Sequence, residues 1–198
     1  MRFSTIQGIT LALVGLTKAQ TCGIDLVDFE DLTNVPALGV GLGSTAQIPN
    51  GYSGLNWANL YGVTPSPAAH FAVAPNSPAT NPAIISATQG RTINPEAIFV
   101  GTFQTGVVGG AAALSSASTI TVTATFQDAT TAQTTFNFDP PNTVFGLAIS
   151  AEAMQYFQFP CEWAKVVSLS FRPQAENGLN NLLGLALDNF QYMDDTSA

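Results

Sequence analysis

The chain has 198 residues, 13 Asp and Glu against 5 Lys and Arg, and a formal net charge of −8. Phosphate backbones and anionic lipid surfaces need clustered basic residues, so nucleic acid and membrane are poor partners. Only 9% of residues are charged and 46% are hydrophobic, so a carboxylate inside an apolar run needs a physical reason.

Taken in chain order, the first element is a leader. Arg2 gives a positive start, positions 9–16 form a short apolar run, and Thr17-Lys18-Ala19 offers a small-residue exit before Gln20. We expect a signal peptide over 1–19 and one domain over 20–198. The apolar run is too short to span a bilayer, and no later stretch reaches the roughly 20 apolar residues a membrane helix needs. The 194–198 tail is polar and carries no lipid-anchor signal. The expectation is an extracellular, secreted protein. Two of the five basic residues, Arg2 and Lys18, leave with the leader.

Cys22 and Cys161 follow export into an oxidising compartment, where pairing is the default. A bridge closing so long a loop is worth roughly 4 to 5 kcal/mol in the chain-entropy account. Beyond Cys22 a period of two dominates. The clearest case is 118–126, where Ile120, Val122, Ala124 and Phe126 alternate with Thr119, Thr121, Thr123 and Thr125. Such alternation buries one strand face and leaves the other in water. Comparable runs lie at 24–30, 97–103, 133–138, 144–149, 155–159, 166–171 and 183–192, separated by turn signals such as Asp139-Pro140-Pro141-Asn142. Positions 36–82, rich in Gly, Pro, Asn and Ser, read as an irregular stretch, the sort of loop on which function concentrates. Helical signal is confined to one turn near 150–154. These features predict an all-β fold, an antiparallel β-sandwich of jelly-roll type with at most one or two short helical turns.

Two acidic motifs stand in apolar strands at opposite ends of the mature chain: Val27-Asp28-Phe29-Glu30-Asp31-Leu32 and Leu185-Ala186-Leu187-Asp188-Asn189-Phe190. If the terminal strands pair, Asp28, Glu30, Asp31 and Asp188 converge and can share a calcium ion, which takes six to eight oxygen ligands. The alternative is that these carboxylates are solvated on an outer sheet face. The 48–63 loop groups Tyr52, Trp57 and Tyr61 with Asn50, Asn56 and Asn59. Either the aromatic rings stack on sugars while the amides bond hydroxyls, or Trp57 plugs the loop from below and the asparagines make local turns.

Acid–base catalysis finds little in the composition. His70 is the sole histidine, flanked by Ala69 and Phe71, and no Gly-x-Ser-x-Gly elbow marks a nucleophile. Glu96, Glu152, Glu162 and Glu176 leave a carboxylate pair for glycoside hydrolysis open, but no spacing singles one out. The Gly106-Val107-Val108-Gly109-Gly110 stretch lacks the lysine of a phosphate loop.

The opening Asp28-Phe29-Glu30-Asp31, the closing Leu187-Asp188-Asn189-Phe190, the intervening Trp163-Ala164-Lys165-Val166-Val167-Ser168-Leu169-Ser170-Phe171 and the loop Ile48-Pro49-Asn50-Gly51-Tyr52-Ser53-Gly54-Leu55-Asn56-Trp57 together resemble calcium-stabilised jelly rolls of carbohydrate-binding-module type, found in secreted fungal and bacterial proteins. The resemblance implies that Glu30 is the early acidic ligand and Asp188 the late one. It leads us to expect a non-catalytic module that binds cell-wall or host polysaccharide and holds a structural calcium. The alternatives are a structural or host-interaction protein with an extracellular protein partner, and a carboxylate-based glycan-active enzyme.

Overall fold

The structure is a computed structural model, and it describes residues 24–32, 46–63, 70–74, 81–104, 114, 115, 117–140, 154–176, 178, 180 and 183–195. The expected leader, Cys22, the 144–149 strand and most of the 150–154 turn lie outside these residues.

The described residues form antiparallel strands and the short 3-10 turn Tyr52–Gly54. In chain order the strands are β1 Asp25–Val27, β2 Ala46–Gln47, β3 Leu55–Ala58, β4 Tyr61–Val63, β5 Phe71–Ala74, β6 Ala83–Ala87 and β7 Thr92–Gln104. They continue with β8 Leu114–Ser115, β9 Ser118–Phe126, β10 Thr131–Phe138, β11 Gln155–Gln158, β12 Val166–Ala175 and β13 Leu183–Asp195.

The pairings divide into two layers. One runs β10-β9-β12-β6-β3. The other is built on β7 and β13, with β11 and β8 beside β7, and β1, β5, β4 and β2 beyond β13. A single pair, Val166 opposite Ile93, joins them. The inward residues of both layers meet in one core: Ile120, Leu169 and Phe171 from the first face Val100, Leu185 and Leu187 from the second. This is the predicted antiparallel β-sandwich, and the alternation of β9 produces it directly: every second residue from Ser118 to Ala124 is buried.

A smaller apolar cluster covers the other side of the second layer, where Phe71, Val73, Phe103, Met154 and Ala186 pack together. Gly184 is needed here. The ring of Phe103, its cross-strand partner, would lie 2.4 Å from any added Cβ.

The 36–82 stretch is less irregular than its composition suggests, because β2 to β5 lie within it. Each is only two to four residues long, too short to display a period through the surrounding Gly, Pro and Asn. β12 also runs further than expected, through Pro173 to Ala175. Its pairing with β6 ends at Phe171, and a proline is tolerated where a strand has become an edge.

Candidate functional site

The terminal strands pair. β1 lies antiparallel to β13, with Asp25 opposite Tyr192 and Val27 opposite Phe190. β5 lies along the same flank of β13, from Leu185 opposite Ala74 to Leu187 opposite Ala72. Asp188 and Asn189 therefore face the gap where β5 begins and β1 ends. The chain leaving β1 carries Asp28 and Glu30 into that gap, and the chain entering β5 carries His70.

β13 changes phase at this point. Leu185 and Leu187 enter the main core, and so do Phe190 and Tyr192, so the inward spacing is two, then three, then two. The extra residue is absorbed by a bulge against β7 between Asp188 and Gln191, with Asn189 left-handed at φ 48°. Asparagine tolerates this conformation better than most residues. The bulge turns Asp188 away from the main core while leaving it only 6% exposed.

Burial, with a further contribution from the Glu30 and Asp28 carboxylates, pushes the Asp188 carboxyl up to about 6 from its ordinary 3.8. A hydrogen bond from the Asn189 backbone N–H to Oδ1, 2.7 Å, works against that rise. The Asn189 amide also donates to Oδ2 at 3.3 Å.

Glu30 is held by the start of β5. Its Oε1 accepts the His70 backbone N–H at 3.1 Å. His70 Nδ1 lies 3.2 Å from the Glu30 carbonyl oxygen and 3.6 Å from Oε2. His70, set aside as a base or ligand on sequence grounds, thus positions Glu30; nothing local in the sequence signals a contact across 40 residues. Asp28 Oδ1 accepts the Glu30 N–H at 3.3 Å, tightening the turn. Asp31 is engaged elsewhere: it accepts the Tyr52 hydroxyl proton. Burial first, and Asp31 second, push that phenol well above its ordinary 10.

The carboxylates around Asp188 are hard oxygen donors, the type calcium takes. Among the described residues, no group of three or more His, Cys, Asp or Glu side chains is placed so that it could hold a metal ion.

The 48–63 loop is packed differently from a sugar-stacking platform. Trp57 is 1% exposed, its Nε1 donates to the Tyr52 carbonyl at 3.0 Å, and its ring meets Phe29 and Phe190 edge-on. Strand alternation sends Leu55 and Trp57 inward and Asn56 outward. The indole therefore offers no face to a ligand, which removes it from the expected sugar-stacking set. Tyr52 is half-buried, stacks on Phe29, and lines a shallow cleft of about 230 Å3 with Asp31, Ile48 and Pro49. Tyr61 packs on the smaller apolar cluster. Asn59, left-handed at φ 60°, ties its turn to Asn81 and to the Pro82 carbonyl. Asn50 sits exposed in a turn.

Trp163 stacks on Phe159 in the main core. Cys161 is exposed, and its expected partner Cys22 lies outside the described residues. Of the carboxylates considered for glycoside hydrolysis, Glu96 is half-buried on β7, Glu162 and Glu176 are exposed, and Glu152 lies outside the described residues.

No family model matches the chain, and a search of curated proteins finds no relative. Among solved structures, the crystal structure of a DUF4465 family protein from Bacteroides caccae is similar, with a TM-score of 0.50 at 12% identity, covering 87% of this chain and 100% of that one. At that identity the likeness speaks to the fold alone.

Proposed function

We propose that the protein is an exported, non-catalytic β-sandwich of jelly-roll type whose first and last strands are tied by a calcium ion, and which meets a neutral polysaccharide by hydrogen bonding. One observation carries the metal reading: β13 turns Asp188 into a gap lined by Glu30 and Asp28, where burial and like charge leave its carboxyl at about 6. A divalent cation would compensate these carboxylates and link the two ends of the domain. Asp188 and Glu30 would hold it, with Asp28 at the rim and His70 fixing Glu30 from behind. Asp31, bonded to Tyr52, is outside this set.

The polysaccharide part draws support from the strongly acidic composition, which disfavours polyanionic ligands; the burial of Trp57 counts against ring stacking at the 48–63 loop. Stacking at the loop loses its main ring, so recognition would fall to hydroxyl and amide groups. Isothermal titration of the metal-stripped protein with calcium, and with magnesium as control, tests the metal. Binding of calcium with a rise in melting temperature supports the reading. A melting temperature unmoved by calcium and by chelator overturns it.

A further inference from the structure

The β9 threonines extend into an ordered array across the outer face of the first layer. Thr125 stands opposite Thr131 on one side and Ser168 on the other. Ser168 stands opposite Ser86, and Ser86 opposite Asn56. Residues directly opposite on antiparallel strands share a face, so these five hydroxyl and amide groups form one row. With strands about 4.8 Å apart, the row spans about 19 Å. Below it run Gln133, Thr123 and Ser170, with Ile84 and Ala58 completing that row, then Thr135, Thr121 and Arg172.

None of the outward positions of β3, β6, β9, β10 and β12 is Asp or Glu, and Arg172 is the one charge among them. In a chain of net charge −8, this is a neutral patch within an anionic field. A polar sheet face facing water is ordinary; this one also lacks carboxylates, so it would not repel a neutral ligand or favour a cationic one. Two cross-strand bonds hold side chains in place: Gln133 Nε2 donates to Thr123 Oγ1 at 3.1 Å, and Thr119 Oγ1 to Asn137 Oδ1 at 3.3 Å. Hydroxyls and amides both donate and accept, as sugar hydroxyls do.

We infer that this face binds a neutral, hydroxyl-rich polysaccharide chain lying across the five strands. The inference deepens the proposal above and rests on it, assigning the ligand to the outer face and not to the 48–63 loop. Neighbouring strands are rotated by roughly 20–25° in a twisted sheet. A flexible single chain can follow that twist, whereas a flat crystalline surface touches only part of the array. Soluble chains should therefore bind better than crystalline ones.

The test is titration of the mature protein with soluble neutral polysaccharides (a linear β-glucan, a xylan and a starch), with polygalacturonate as the anionic control. The variant Thr123→Glu/Ser170→Glu places two carboxylates at the centre of the face. At least a tenfold weaker affinity for a neutral chain, with an unchanged melting temperature, supports the site. Should that pair shift the melting temperature, Thr135→Glu on the exposed rim carries the same comparison. Undiminished binding by a folded variant overturns the face and leaves the polysaccharide reading standing. No binding of any neutral chain by the unaltered protein overturns both. Polygalacturonate binding as tight as the neutral chains overturns the charge argument.

Discussion

Replacing Asp188 with Asn should act in opposite directions with and without calcium. Raising a carboxyl from 3.8 to about 6 corresponds to about 3 kcal/mol at about 1.4 kcal/mol per unit, and to about 2 once residual solvent screening is allowed. The sign follows from proton linkage: the native state holds this proton more tightly than the unfolded chain. The contribution of Asp188 is therefore most favourable below pH 4, declines as pH rises towards 6, and stays at its least favourable above. The neutral amide removes that cost, but it sets an NH2 group against the Asn189 donors that now reach Asp188, a loss of about 1 kcal/mol. The metal-free variant should thus gain about 1 kcal/mol at pH 7 and lose about as much at pH 4. For a domain of this size the gain is roughly 2–4 °C in melting temperature. Calcium at a hundred times its Kd should stabilise the unaltered protein by about 2.7 kcal/mol, or roughly 5–10 °C, and leave the variant unmoved. Thermal melts in chelator and in calcium at pH 4 and pH 7 read all four values. A variant that melts below the unaltered protein in chelator at pH 7 refutes the buried-charge reasoning; a variant that still responds to calcium refutes the ligand assignment.

Three further substitutions probe the same frame. His70→Ala removes the ring that braces Glu30 and should weaken calcium binding by at least about tenfold, read by titration calorimetry, with little change in the metal-free melt. Trp57→Ala empties a buried site and removes the bond to the Tyr52 carbonyl; denaturant unfolding should show a loss of about 3–5 kcal/mol. Gly184→Ala drives a methyl into the Phe103 ring and should cost about 1–3 kcal/mol in the same assay.

The long strands were legible because their burial alternates without interruption. Ser118–Phe126 is read from its threonines alone, and the pairing of β1 with β13 agrees with the expectation drawn from the two acidic motifs. The short strands within 36–82 were not legible: Leu55 and Trp57 alternate for one period only, and a period seen once carries no information. The Asp188 bulge had a visible signal, the jump from Leu187 to Phe190 in a series otherwise spaced by two. The loop aromatics were the harder case. A tryptophan between Asn56 and Ala58 reads the same whether its ring faces water or Phe29 and Phe190. Only the sheet to which β3 belongs decides it, and that pairing, with β6, is set by residues some thirty positions away.

Packing around Phe29 and Phe190 holds the two acidic arms in place. Phe29 is left-handed at φ 59°, a conformation that strains a bulky residue by about 1–3 kcal/mol. That strain is offset by full burial of its ring against Tyr52 and Trp57, worth about 1.5–3 kcal/mol. The aromatic cluster under the 48–63 loop thus fixes the turn that carries Asp28 and Glu30 out of β1. On the other side, Phe190 shares that cluster through Trp57 and sits one bulge away from Asp188. One apolar cluster therefore anchors both arms that bring the carboxylates together. Loosening it should release the acidic pocket as well as the loop, so Trp57→Ala should weaken calcium binding even though no atom of the indole is a ligand. Titration of the folded variant at low temperature separates this coupling from simple instability: undiminished calcium affinity would show that the two arms are held independently.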